Sequence, residues 1–225
     1  MRTTRFLGFF VALAVALGLA VVPATAQAAT ITTKVSIKAP KAVYYNKYFH
    51  IKGQLTATDG TESGYLPSEQ VTLMAKASGK TEWTTVTTRY TNSTAGIYDF
   101  YVKAGSKTVY QVKFAGDGSY PASSSSTATV KVRRDITEKS KRLSARNFKF
   151  YGKVAPSYGK KKITLQKKVG KHWKKVTAKK TNKAGKWSFT VRALRHRGKI
   201  KFRTAVPAQG GYLGDVSRVL IITTY

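Results

Sequence analysis

The sequence has no cysteine, and only 9 of its 225 residues are acidic. Without cysteine there can be no disulfide, no thiolate-bound zinc or iron–sulfur cluster, no thiol nucleophile and no lipid-modified N-terminal cysteine. The shortage of acid removes most paired-carboxylate chemistry. Residues 135–225 contain three acidic residues, Asp135, Glu138 and Asp215, too few for a two-carboxylate hydrolase site once the first two sit beside the expected domain boundary. The three histidines, His50, His172 and His196, share no metal-ligand spacing and read as solvated side chains. Asp59-Gly60-Thr61-Glu62 falls short of the oxygen set that calcium takes and reads as an inter-strand loop. Phosphate-cradling glycine loops and a Gly-x-Ser-x-Gly elbow are missing as well. The expectation is a protein that is not an enzyme, with no catalytic residue, metal or cofactor.

What is present is core material and positive charge. Hydrophobic residues make up 42% and aromatic residues 12%, too much for a disordered polycation, while 41 Lys and Arg give a net charge of +32. Arg2 and Arg5 precede an apolar run at residues 6–22, followed by Pro23 and the small-residue site Ala26-Gln27-Ala28. This is the pattern of a secretory signal peptide over residues 1–28, favoured over a membrane anchor by the proline and the cleavage site. Thr3-Thr4 separates the two arginines, so a twin-arginine signal is not supported. No later apolar run is long enough to span a membrane. Leu66-Pro67-Ser68-Glu69 carries only half of a sortase signal, so covalent wall attachment is not supported either. The expected location is extracellular.

The chain after residue 28 repeats itself. Tyr48-Phe49-His50-Ile51-Lys52-Gly53-Gln54-Leu55 answers to Asn147-Phe148-Lys149-Phe150-Tyr151-Gly152-Lys153-Val154, both alternating with the period of a half-buried strand. Gln70-Val71-Thr72-Leu73 then matches Lys162-Ile163-Thr164-Leu165, and Trp83 with Val86 matches Trp173 with Val176. Thr91-Asn92, Gly96, Tyr98 and Phe100 match Thr181-Asn182, Gly185, Trp187 and Phe189. Tyr110, Val112, Phe114 and Tyr120 match Phe202, Thr204, Val206 and Tyr212. Matches in order over two stretches of this length indicate duplication of a domain. Each copy reads as about seven short strands with Gly, Asn, Asp and Ser turns, hence a β-sandwich.

These motifs, together with Phe114-Ala115-Gly116-Asp117-Gly118-Ser119-Tyr120 before a serine-rich strand, resemble the bacterial Ig-like repeats of secreted actinobacterial proteins. The resemblance implies an all-β chain of two tandem Ig-like sandwiches, residues 29–134 and 135–225, and leaves function open. The Cys…Trp…Cys pin of antibody domains is absent, so Trp83 and Trp173 have no inter-sheet disulfide to pack on. Tyr110 could make a tyrosine corner in the first copy, whereas Phe202 cannot in the second. Strand topology stays open. The boundary falls at Arg133-Arg134-Asp135, a short polar link that restricts the orientation of the two halves.

Residues 29–134 carry 14 basic against 6 acidic residues, a surplus of +8; residues 135–225 carry 25 against 3, a surplus of +22. Solubility needs far less than that, and like charges repel in a compact state. Strand alternation turns Lys199, Lys201 and Arg203 to one outer face. Lys160, Lys161, Lys162, Lys167, Lys168, Lys171, Lys174, Lys175, Lys179 and Lys180 flank neighbouring strands and turns, and Arg192, Arg195 and Arg197 crowd one loop. Aromatics fall mostly on inward positions, with Tyr151 and Tyr158 as outward exceptions, and no nucleic-acid reading motif is present.

The leading expectation is a secreted binding or adhesion module. Its basic second domain would associate with anionic cell-wall polymers or other polyanions and so hold the protein non-covalently at the cell surface. Nonspecific binding of extracellular DNA or anionic glycans, and a purely structural spacer, are the alternatives. Sequence-specific nucleic acid recognition is not expected.

Overall fold

Alternating apolar and polar residues decide which side of each strand is buried, and the fold follows that alternation. The structure, a computed structural model, describes residues 30–60 and 62–225; the signal segment read at residues 1–28 lies outside them. Among the described residues every regular element is a β-strand. The first half contributes β1 (Thr32–Val35), β2 (Ala42–Tyr44), β3 (Tyr48–Thr58), β4 (Ser63–Tyr65), β5 (Gln70–Ala77), β6 (Thr84–Tyr90), β7 (Ile97–Lys103), β8 (Thr108–Phe114), β9 (Ser123–Ser124) and β10 (Ala128–Arg133). The second half contributes β11 (Asp135–Arg142), β12 (Asn147–Ala155), β13 (Lys162–Val169), β14 (His172–Lys180), β15 (Lys186–Arg192), β16 (Gly198–Val206), β17 (Asp215–Val216) and β18 (Leu220–Thr224).

Each half is two sheets packed on one core. In the first, β1, β4 and β7 pair with β3, and the facing sheet runs β2-β10-β8-β5-β6 with β9 on β8. In the second, β11-β12-β15 faces β14-β13-β16, with β17 and β18 on β16. Ile51, Leu55, Val71, Leu73, Phe100 and Val112 fill the first core; Phe150, Val154, Ile163, Leu165, Phe189 and Phe202 fill the second. This is the immunoglobulin-like sandwich, and it resolves the topology. In the constant-type order the fourth strand joins the sheet of the first strands, whereas here β6 and β14 pair with β5 and β13.

The duplication holds at the level of register. Leu73 faces Val112 as Leu165 faces Thr204, and Met74 faces Gln111 as Gln166 faces Arg203. Both edge ladders slip at the same place, between Leu73 and Met74 and between Leu165 and Gln166. The extra residue of each bulge is one of the matched valines, Val86 or Val176, which the slip leaves exposed.

The shared glycines have steric reasons. A Cβ at Gly53 would strike the Ser36 carbonyl and the Tyr98 hydroxyl, and one at Gly152 would strike the Thr137 carbonyl, so the neighbouring strand closes over both only because the side chain is absent. Gly96 and Gly185 take positive φ, 62° and 77°, in a turn that Asn92 and Asn182 build alike. Each asparagine carboxamide oxygen accepts two backbone N–H groups at 2.9–3.0 Å.

The aromatic residues divide by packing. Trp83 and Trp173 lie half-buried at the edge of a sheet under cations, with Lys76 Nζ 5.0 Å and Arg203 Cζ 4.4 Å from the ring centres, and the inter-sheet aromatic of each core is Tyr98 or Trp187. Tyr158 is not outward: it is 1% exposed and its hydroxyl donates to the Lys162 carbonyl at 2.6 Å. Its turn packs down because Thr181 bonds the Tyr158 carbonyl. Tyr110 is buried against Phe49, with ring centres 6.0 Å apart, and burial raises its pKa.

The link between the halves is a single residue, and it is buried rather than solvated. Arg134 is 1% exposed between the last strand of one sandwich and the first of the next. Its guanidinium donates to the carbonyls of Pro156 and Gln209, the latter at 2.8 Å, and lies 4.7 Å from the ring centres of both Tyr158 and Tyr212. Tyr212 in turn reaches the first half, its ring 6.4 Å from Tyr45 and its hydroxyl 3.2 Å from the Gly105 carbonyl. Leu213 continues the contact through backbone bonds with Val132 and Arg134.

Arg134→Ala removes two charged hydrogen bonds, each worth about 1.5–3 kcal/mol. The expected outcome is a lower melting temperature together with a larger radius of gyration in solution scattering, because the junction loosens while both sandwiches remain. Gly152→Ala should instead melt the second domain selectively and leave the near-ultraviolet signal of the first domain intact.

Candidate polyanion-binding face

On β16 the inward side chains are Ile200, Phe202, Thr204 and Val206, and Lys199, Lys201 and Arg203 point away from the core. Cross-strand register fixes what lies beside them. Gln166 of β13 faces Arg203 on one side and Lys175 of β14 on the other; two residues along, Lys168 faces Trp173, and at the far end Lys162 faces Lys180. The outer side of this sheet therefore carries Lys162, Lys168, Lys175, Lys180, Lys199, Lys201 and Arg203 at alternating positions of three adjacent strands.

Arg203 is the most fixed of these. Its Nε donates to Gln166 Oε1 at 2.8 Å, and its guanidinium lies over Trp173. Partial burial draws its pKa below the usual arginine value, yet it stays cationic at any physiological pH. The other residues expected in the site divide by location. Lys167 and Lys174 face each other across β13–β14 at the end distant from the first domain. Arg195 and Arg197 lie in the exposed loop before β16 at that same end, and Arg192 closes β15 on the other sheet rather than lying in the loop. Lys160 and Lys161 stand at the opposite end, in the turn before β13, with Lys161 Nζ 6.0 Å from the Tyr158 ring centre and far down the strands from Lys201.

Two cross-strand contacts, Lys162 with Lys180 and Lys167 with Lys174, set like charges directly opposite each other, an arrangement that destabilises a sheet. The domain's own acids give little relief. Glu138 points inward and binds Arg218, and Asp215 lies 3.9 Å from Arg133. Their side chains are only 6% and 8% exposed, so these two carboxylates contribute almost nothing to the outer surface.

The sister face of the first domain has the same backbone and other chemistry. Met74, Thr85 and Gln111 occupy the positions of Gln166, Lys175 and Arg203. Sequence reasoning overlooked two features. Five tyrosines of the first domain, Tyr44, Tyr48, Tyr65, Tyr90 and Tyr101, are exposed, because strand parity carries them outward. The β11-β12-β15 sheet also turns Lys139, Lys141, Lys149, Lys153 and Lys186 outward; alternation along Lys149-Phe150-Tyr151 was the signal that could have found them.

No protein-family model matches the chain, and no curated protein does. Among solved structures, a chicken interferon gamma receptor alpha chain aligns over 87% of this chain and 98% of its own, at 10% identity and a TM-score of 0.44. A tetra-tandem repeat from the extending region of a large adhesion protein aligns over 86% and 49%, at 11% identity and a TM-score of 0.35. A superoxide reductase (neelaredoxin) from Ignicoccus hospitalis aligns over 45% of this chain and 80% of its own, at 15% identity and a TM-score of 0.35. Among the described residues no three His, Asp or Glu side chains gather as a metal site would need, and no helix is long and apolar enough to cross a membrane.

Burial raises the pKa of both Glu138 and Asp215, more than Arg218 lowers the first and the Val216 backbone with Arg133 lowers the second. Both therefore bind a proton more tightly folded than unfolded. That contribution to stability is complete below the ordinary carboxylate pKa and is lost as pH rises through the folded values. Acidification from neutral pH into the carboxylate range should stabilise the second domain relative to Glu138→Gln, as read by melting the two proteins across that window.

Proposed function

We propose that this is a non-catalytic, secreted two-domain protein whose basic second domain associates with anionic polymers of the cell envelope, the first domain facing outward as an adhesion or spacing module. The observation that carries the reading is the outer face of β13, β14 and β16, with seven cations and no acid at its alternating positions. Its like-charge pair, Lys162 with Lys180, makes the unbound face a local cost to the fold, and a polyanion removes that cost while releasing its own counterions. The contrast with the first domain supports a functional origin. Duplication supplied the same sheet twice, and only one copy was filled with lysine.

Envelope polymers are favoured over nucleic acid because the aromatic on this face, Trp173, is already covered by Arg203, which leaves no free platform there for a base. The signal pattern at residues 1–28 supports export to where such polymers lie.

Binding of the full chain to a poly(glycerol phosphate) wall polymer should weaken linearly on a log–log plot against salt, with a slope of about −0.7 to −0.9 per phosphate neutralised. Lys199→Ala/Lys201→Ala/Arg203→Ala should shallow the slope by about three contacts' worth. A flat salt dependence, or an unchanged slope in the triple variant, counts against the reading. Duplex DNA displacing the wall polymer at equal charge concentration would transfer the function to extracellular nucleic acid.

A further inference from the structure

A second basic feature of the same domain adjoins that face and shares Lys180 with it. Where the edge strands β15 and β14 of the two sheets approach, a groove of about 430 Å³ opens, lined among others by Lys149, Tyr151, Lys179, Lys180, Lys186 and Trp187. No carboxylate lines it.

The duplication provides an internal comparison. β3 pairs Lys52 with Asp99 as β12 and β15 pair Tyr151 with Ser188, and His50 stands where Lys149 stands. In the first domain Asp99 accepts from His50 at 2.8 Å and pairs with Lys52 at 3.3 Å, so that surface neutralises itself. In the second domain the corresponding residue, Ser188, carries no charge, and the lysines around it are left without that carboxylate. The inter-sheet aromatic differs in the same sense. The Tyr98 hydroxyl donates to the Ser36 carbonyl, whereas the Trp187 indole N–H, sealed within a residue that is 5% exposed, has no acceptor. The groove is thus lined by four lysines, has in its wall a tryptophan whose buried N–H lacks an acceptor, and is without the built-in anion of its sister site.

We propose that this groove is a subsite for one phosphate group of a phosphodiester-linked polymer, held by the ammonium groups of Lys149, Lys179, Lys180 and Lys186, with the Tyr151 ring beside the attached polyol or sugar. It rests on the polyanion reading above and assigns a discrete site to it. Lysines favour phosphate over carboxylate here: they act as point charges and lack the planar fork that matches a carboxylate edge. Several of them around one cavity suit oxyanion charge spread in three dimensions.

The test uses the full chain labelled with nitrogen-15, in which the indole N–H signals of Trp83, Trp173 and Trp187 report separate places. Glycerol 3-phosphate, titrated at constant ionic strength, should move the Trp187 signal saturably and leave Trp83 unmoved. Glucuronate should act more weakly. Ser188→Asp restores the carboxylate of the sister site and should weaken the response about tenfold, as should Lys179→Ala/Lys186→Ala. Lys199→Ala/Lys201→Ala/Arg203→Ala should leave it within about twofold, the site being separate from that row.

No saturable movement of Trp187 would overturn the proposal. So would an undiminished response in Ser188→Asp with the Trp83 and Trp173 signals in their native places, or tighter binding of glucuronate. Retention on wall polymer separates the two readings. Retention without a Trp187 response defeats the groove alone, and a Trp187 response without retention defeats the polymer-face reading alone.

Discussion

The arrangement of this molecule turns on a buried cation. With no cysteine there is no covalent pin within or between the sandwiches, and β10 runs into β11 with only Arg134 between them. A guanidinium removed from water needs partners, and here two backbone carbonyls accept from its terminal nitrogens and two tyrosine rings flank it, while its Nε has no acceptor. The carbonyls come from turns of the second domain, and Tyr212 carries the contact on to Tyr45 and Gly105 of the first. A hinge that the composition describes as a polar linker is thereby a packed joint, and the direction in which the basic domain faces follows from it.

Within each sandwich the same few contacts recur because the same backbone recurs. Gly53 and Gly152 let a neighbouring strand close in, Thr91 and Thr181 tie down the turn before the next strand, and the paired bulges at Val86 and Val176 twist the edge strand. These positions carry the repeat in the sequence because each is constrained by backbone geometry. Outer-face positions are free of that constraint, and there the two copies diverge: Met74, Thr85 and Gln111 in one, Gln166, Lys175 and Arg203 in the other. The charge has accumulated where the fold tolerates it, at the cost of cross-strand repulsion.

Much of the fold was legible beforehand. Alternation along Lys199-Ile200-Lys201-Phe202-Arg203 named the outer row correctly, since in a strand parity alone decides the face. Parity does not say which row neighbours which. Sequence grouped Lys160 and Lys161 with Lys167 and Lys168 in one candidate site, although β13 carries the two pairs to opposite ends of the domain. It also set Tyr158 outside, in a turn where no period applies and where Thr181 and Arg134 decide the packing.

The sequence by itself determined the class of fold, the duplication, the absence of thiol chemistry and the concentration of charge in the second half, because each follows from composition or from local periodicity. Only the tertiary structure decided that the fourth strand pairs with β5 and β13, that Glu138 and Asp215 are withdrawn from the surface, that Trp173 is capped by Arg203, and that Lys149, Lys179 and Lys186 share a groove. Those facts depend on contacts between residues far apart in the chain, and such contacts are set by how two sheets meet.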